Sequence, residues 1–126
     1  MIVEDDAFHQ KLLSYQLTKN GYQVMIANDG LAALDWLRSA APQPDLIVMD
    51  QLMPRLSGLE VLKAIKESSV QLPVVLMSAA AWPYANEAAT QPQPDAFFTK
   101  PFQLEKLVAT IEELLQPAAM YDSEMA

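Results

Sequence analysis

The run Asp45-Leu-Ile-Val-Met-Asp50-Gln-Leu-Met-Pro54 limits the fold more tightly than any other stretch of the chain. Leu46 to Met49 are apolar without a break, the pattern of a strand covered on both faces in a parallel sheet, and the run stops at a carboxylate followed closely by a proline. Such a strand delivers Asp50 to its C-terminal end. In open α/β sheets that edge is where ligands bind. A single acid after a strand is more often a turn residue, so Asp50 becomes a site residue only if partners join it there.

On either side of this run, strands alternate with helices. Met1 to Val3 is a short apolar strand ending in Glu4-Asp5-Asp6, and Phe8 to Asn20 follows as a helix with Phe8, Leu12 and Tyr15 at helical spacing. Gly21 closes that helix in a left-handed conformation. Tyr22 to Ala27 reads as a strand, Asn28-Asp29-Gly30 as a turn with a helix cap, and Leu31, Leu34 and Leu37 as one face of a second helix ended by Pro42 and Pro44. Ser57-Gly-Leu-Glu60 has capping-box spacing, with Leu59, Leu62 and Ile65 facing inward along a third helix. Leu72 to Ser78 is the next buried strand. Ala79 to Pro94 predicts a weak fourth helix, and Ala96 to Thr99 a fifth strand. After Lys100-Pro101-Phe102, Leu104, Leu107, Val108, Ile111, Leu114 and Leu115 give the cleanest amphipathic pattern. Ala118 to Ala126 has no pattern and reads as a tail or the start of a linker.

The length of 126 residues suits one domain, and 52% hydrophobic residues supply a core. Eight Lys and Arg against sixteen Asp and Glu leave a net charge of -8, which opposes direct binding to nucleic acid or an anionic membrane. Cysteine is absent, which removes disulfides and thiolate metal sites, and no apolar segment approaches the roughly 18 residues needed to span a bilayer. The acidic start lacks a signal-peptide pattern, so the expected compartment is cytoplasmic. Five strands alternating with five helices imply a three-layer α/β/α sandwich around a parallel sheet.

In that fold the strand ends bring Glu4, Asp5, Asp50, Ser78 and Lys100 to one edge. Crowded carboxylates repel unless a cation intervenes, and hard oxygen ligands suit Mg2+ or Mn2+. With a metal, an ammonium and a hydroxyl to meet three phosphoryl oxygens, the group fits in-line phosphoryl transfer with Asp50 as nucleophile. Taken singly, Glu4 and Asp5 are a helix-capping acidic turn, Ser78 a satisfied hydroxyl and Lys100 a solvated charge. Only their common edge promotes them. His9, the single histidine, reads as an exposed helix residue without a phosphoryl role, and the methionines as core filler.

The set Val3-Glu4-Asp5-Asp6, Asp50-x-x-Met53-Pro54, Gly58, Ser78-Ala79 and Lys100-Pro101-Phe102 resembles the receiver domain of two-component response regulators. The resemblance spans residues 1 to 116, leaving 117 to 126 as the tail. It implies a flavodoxin-like (βα)5 fold with strand order 2-1-3-4-5. It also implies that Asp50 accepts a phosphoryl group from a sensor histidine kinase or a histidine phosphotransfer protein. Asp5 directly, Glu4 through water, the Asp50 side chain and the Leu52 backbone carbonyl would hold the metal. Ser78 and Lys100 would contact the phosphoryl group, and the peptide bond before Pro101 would be cis. Phe97 falls where the family carries a switch aromatic, though as a residue type it fits a plain core position better. Ser78 and Phe97 would together change the surface of the fourth helix, fifth strand and fifth helix, read by a downstream protein target or an output domain.

Some positions depart from the family pattern. Only two residues precede Val3, compatible with an excerpt of a longer protein, and Gln93-Pro94 stands where Gly-Ala is frequent. Trp82, Pro83 and Tyr84 give the preceding helix an unusual makeup. Leu52 and Ala80 occupy positions that tune hydrolysis of the acyl phosphate, and neither offers a polar side chain. A long-lived phosphoform is the expectation. The domain is expected to assist its own phosphorylation and dephosphorylation rather than act as an enzyme on free substrates, and phosphorylation-dependent pairing of two copies is left open. A dehalogenase-type phosphatase needs a second Asp where Leu52 stands, and a flavodoxin-like cofactor carrier needs a Ser, Thr and Gly-rich loop where Glu4-Asp5-Asp6 stands. The remaining rival is a phosphorylation-independent pseudo-receiver acting as a protein-interaction module.

Overall fold

The computed structural model describes residues 1–80 and 92–116. The expected fourth helix and the terminal tail therefore fall outside the described residues, apart from the segment's margins. Nine elements follow in order: β1 (Ile2–Val3), α1 (Ala7–Lys19), β2 (Ile26–Ala27), α2 (Gly30–Leu37), β3 (Ile47–Asp50), α3 (Gly58–Glu67), β4 (Val74–Ser78), β5 (Ala96–Thr99) and α4 (Leu104–Leu115). All five strands are parallel and lie in the order β2-β1-β3-β4-β5. The expected strand order is the observed one.

Strand alternation divides the core into two halves. Val3, Ile47, Met49, Val74 and Leu76 pack with Ala33, Leu34, Val61, Leu62 and Ile65, so α2 and α3 cover one face. Ile2, Val48, Val75 and Met77 pack with Leu13, Leu17, Leu107, Val108 and Ile111, so α1 and α4 cover the other. Both faces of β3 are thereby sealed, as its unbroken apolar run requires. Residues 47 to 50 are all buried.

The helix boundaries follow local chemistry. Asp6, Asp29 and Ser57 cap α1, α2 and α3, their side chains accepting from the backbone N–H of His9, Ala32 and Glu60. Gly21, at φ 93°, takes the left-handed turn after α1. Two helix faces differ from expectation. On α1, Phe8, Leu12 and Tyr15 are exposed, while Leu13 and Leu17 face the sheet. The outward stripe has the same i, i+4, i+7 spacing as an inward one, so spacing alone does not say which stripe is covered. On α2, Leu31 is exposed and the small Ala33 packs instead beside Leu34. Two strands are also shorter than read. Only Ile26–Ala27 pair in β2, matching the two residues of β1, and Pro73, which has no N–H to give, keeps β4 from starting before Val74.

Candidate phosphoacceptor and metal site

Parallel register sets the site. Val3 lies beside Met49, Asp50 beside Met77, and Ser78 beside Thr99, so the residues just past β1, β3, β4 and β5 share one edge. The chain continues that edge through backbone bonds: Gln51 N donates to Met77 O at 2.8 Å and Lys100 N donates to Ser78 O at 2.7 Å. The peptide bond between Lys100 and Pro101 is cis. Lys100 Nζ stands 3.3 Å from Asp50 Oδ1.

Burial grades the acids. Glu4 is 1% exposed and Asp50 8%, whereas Asp5 is open to solvent. One oxygen from each of the three lies within 4.8 Å of the others. Glu4 Oε1 meets His9 Nδ1 at 2.9 Å, but Glu4 Oε2 is buried without a hydrogen-bond donor among the described residues. Burial, and after it the Asp50 charge, raise the Glu4 carboxyl from 4.5 to about 7, partly opposed by Lys100 and His9. A buried oxygen lacking a donor, in a pocket of converging carboxylates, fits a hard divalent cation. The acidic cluster can hold a metal.

Other expected participants lie at the same edge. Ser78 is half-buried and its Oγ accepts from Ala80 N at 3.2 Å, while Leu52 projects an 83% exposed side chain from the loop after Asp50 and Met53 anchors that loop in the core. The loop is clamped by Gly58 N donating to Gln51 O at 2.9 Å and by Leu59 N donating to Gln51 Oε1 at 2.8 Å. At Gly58 a Cβ would stand 2.8 Å from the Asp50 carbonyl oxygen, so only glycine lets α3 come this close. Phe97 lies opposite Leu76 and packs, half-buried, against the core on the α2–α3 side. A cleft of about 520 Å³ opens beside the acids, with Glu4, His9 and Lys100 at its polar end and Leu12, Leu13 and Phe102 along its apolar wall.

With this geometry in view, comparison with known proteins is direct. The model of the response regulator receiver domain matches residues 1–112. The chain belongs to that family. Among curated relatives, response regulator MprA of Mycobacterium ulcerans is 35% identical over 126 residues, covering 100% of this chain and 53% of the relative. The receiver domain thus spans about half the length of the curated relatives it matches. Among solved structures, the receiver domain of a signal transduction histidine kinase from Syntrophus aciditrophicus superposes with a TM-score of 0.80 at 29% identity, over 90% of this chain and 86% of that one. Response regulator TrrA of Thermotoga maritima, solved in complex with Mg2+ and BeF, gives a TM-score of 0.77 at 27% identity, over 90% and 96% of the two chains. The phosphorylation-independent alternative gains no support from this company, and no described helix of the receiver domain is long and apolar enough to cross a membrane.

Sequence reading missed one neighbour of the site. His9, taken as a bystander, contacts the most buried acid. It lies five residues beyond Glu4, across the first turn of α1, where the Asp6 cap turns the chain back over the strand end. That cap and spacing were the available signal.

Proposed function

We propose that Asp50 of this receiver domain takes a phosphoryl group from a phosphohistidine on a sensor histidine kinase or a histidine phosphotransfer protein. The observation that carries this reading is the Asp50 carboxylate, buried at a strand end, with Lys100 Nζ at 3.3 Å and two further acids beside it. An Asp50 oxygen attacks phosphorus, the P–N bond breaks, and its electron pair returns to the leaving imidazole. Lys100 exchanges its contact with Asp50 for one with a phosphoryl oxygen, and the Ser78 hydroxyl donates to another. Glu4, Asp5, Asp50 and the Leu52 carbonyl would hold Mg2+, which when bound neutralises charge on the phosphoryl oxygens. The donor must bring its histidine to this edge, where Phe8, Leu12 and Tyr15 supply an exposed apolar surface on α1.

The product is an acyl phosphate on the protein itself, so the domain works as a switch and not as an enzyme on free substrates. The new contacts of Ser78 favour a state in which Phe97 moves, altering the surface of β5, α4 and the segment before β5 for a downstream protein or an output domain. Relatives about twice as long accord with an output domain elsewhere in the protein. Net charge of -8 argues against direct nucleic-acid contact by the receiver domain, and a kinase-fed domain belongs in the cytoplasm.

Intact-protein mass after incubation with acetyl phosphate tests this. A Mg2+-dependent gain of about 80 Da, one HPO3 group, that is absent in Asp50→Asn supports it. A gain that persists in Asp50→Asn would assign another acceptor, and no gain in either protein would return the pseudo-receiver.

A further inference from the structure

A helix leaves its first backbone N–H groups without partners of its own, and α3 begins directly after the loop that follows Asp50. Ser57, the cap residue, takes the Glu60 N–H on its Oγ at 3.2 Å. The two N–H groups before it both go to one residue outside the helix. Gly58 N donates to the Gln51 carbonyl at 2.9 Å, and Leu59 N donates to Gln51 Oε1 at 2.8 Å. Gln51 N in turn donates to Met77 O of β4 at 2.8 Å. Gln51 is thereby fastened through its N–H, its carbonyl and its side chain, to β4 on one side and to α3 on the other.

We infer that the Gln51 side chain is a positioning residue for the divalent-cation site, an inference resting on the reading that the Asp50 side chain and the Leu52 carbonyl hold Mg2+. Gln51 joins those two residues, so the peptide unit on each side of it leads into a ligand. A carbonyl ligand points where the backbone torsions aim it, and Leu52 supplies no order of its own, since its side chain is 83% exposed. The loop is anchored before Leu52 by Gln51 and after it by the buried Met53. The two main-chain bonds of Gln51 need no particular side chain. The bond to Leu59 does, because it requires an acceptor at the reach of glutamine. Groups that orient ligands from behind are worth about 10–100-fold in metal affinity.

Ser57 separates this role from plain helix capping. Both side chains satisfy one first-turn N–H of α3, but only Gln51 lies on the segment that carries the ligands. Loss of either bond should loosen the helix end. Only loss of the Gln51 bond should reach the cation.

Amide NMR titration with MgCl2 at fixed ionic strength tests this on wild type, Gln51→Met, Gln51→Glu, Ser57→Ala and Asp50→Asn, with thermal melts checking that each is folded. Methionine keeps the length of the side chain without the acceptor, and glutamate keeps the acceptor. The expected result is at least about tenfold weaker Mg2+ binding in Gln51→Met, and no more than about threefold weaker binding in Gln51→Glu and Ser57→Ala. In wild type, saturating Mg2+ should also slow hydrogen exchange at the Leu59 amide, because the coupling is reciprocal. Equal weakening in Gln51→Met and Ser57→Ala, or in Gln51→Met and Gln51→Glu, would overturn the inference. So would a Leu59 amide whose exchange ignores Mg2+. Unchanged affinity in Gln51→Met beside a loss in Asp50→Asn would overturn it while leaving the cation site in place. No Mg2+ binding by wild type, or equally tight binding by Asp50→Asn, would overturn the underlying reading and the inference together.

Discussion

Arg55 reaches back 26 residues to pair with Asp29, its Nη2 donating to Asp29 Oδ2. The partner carboxylate is already committed, since Asp29 Oδ1 accepts from Ala32 N at 2.8 Å and caps α2. Arg55 itself sits at φ 69°, a left-handed conformation uncommon for a side-chain-bearing residue. One ion pair therefore ties the loop that follows Asp50 to the turn that follows β2.

Releasing that tie should show in acid titration. The Ala32 N–H, and after it the Arg55 charge, hold the Asp29 carboxyl below its ordinary 3.8. A depressed folded value means stability present above 3.8 and lost as pH falls through the lower folded value. Arg55→Ala should lower Tm at pH 7, and the gap from wild type should close as pH drops below the aspartate range. A gap independent of pH would assign the effect of Arg55 to loop conformation alone.

Glu4 behaves in the opposite sense. Its carboxyl, raised from 4.5 to about 7, binds more proton in the folded chain, so its contribution is fully present below 4.5 and is lost as pH rises through about 7. Metal-free protein should lose stability over that window, by at most about 1.4 kcal/mol per pH unit for one proton, and Glu4→Gln should flatten the slope. Mg2+ at ten times its Kd should restore about 1.4 kcal/mol, and should bind more tightly at pH 8 than at pH 5. Urea unfolding with and without EDTA reads both effects.

Gly58→Ala tests how closely α3 approaches the site. The added Cβ would meet Leu76 Cδ2 at 2.7 Å, Asp50 O at 2.8 Å and Gln51 Cα at 3.0 Å, and two of these are backbone atoms that cannot rotate away. A loss of roughly 1–3 kcal/mol is expected, as for overpacked cores. Weaker Mg2+ binding should accompany it, because the displaced atoms lead directly into Asp50 and Leu52. Unfolding curves and calorimetry measure the two.

Lys100→Ala removes the cation that faces Asp50 at 3.3 Å. Labelling by acetyl phosphate should slow by at least about tenfold, in line with the loss of one donor to a developing oxyanion. Glu4 should titrate higher still, since Lys100 is among the groups holding it down. Carbon-detected NMR of the Glu4 carboxyl follows the second effect independently of the first.

Much of this was readable from residue order. Continuous apolar runs at Leu46 to Met49 and before Ser78 announce strands covered on both sides, and the polar residues at their ends converge because parallel strands share a direction. Helix orientation was less legible. Phe8, Leu12 and Tyr15 form as good a stripe as any, but which stripe of α1 meets the sheet depends on the approach set by the Asp6 cap. His9 and Arg55 escaped for a related reason. Their roles arise from contacts across turns and between loops, which periodicity does not encode.

Glu4, Asp5 and Asp50 all precede Lys100 in the chain, and Lys100 follows fifty residues after Asp50. At synthesis rates of about 5–20 residues per second, an emerging chain spends roughly 2.5–10 s with its acids made and their lysine still to come. Within that interval β4 and then β5, which set the last part of the edge, are made. A nascent or prematurely ended chain therefore has Asp50 without the ammonium that faces it. The edge is complete only once Lys100, just past β5, has been made.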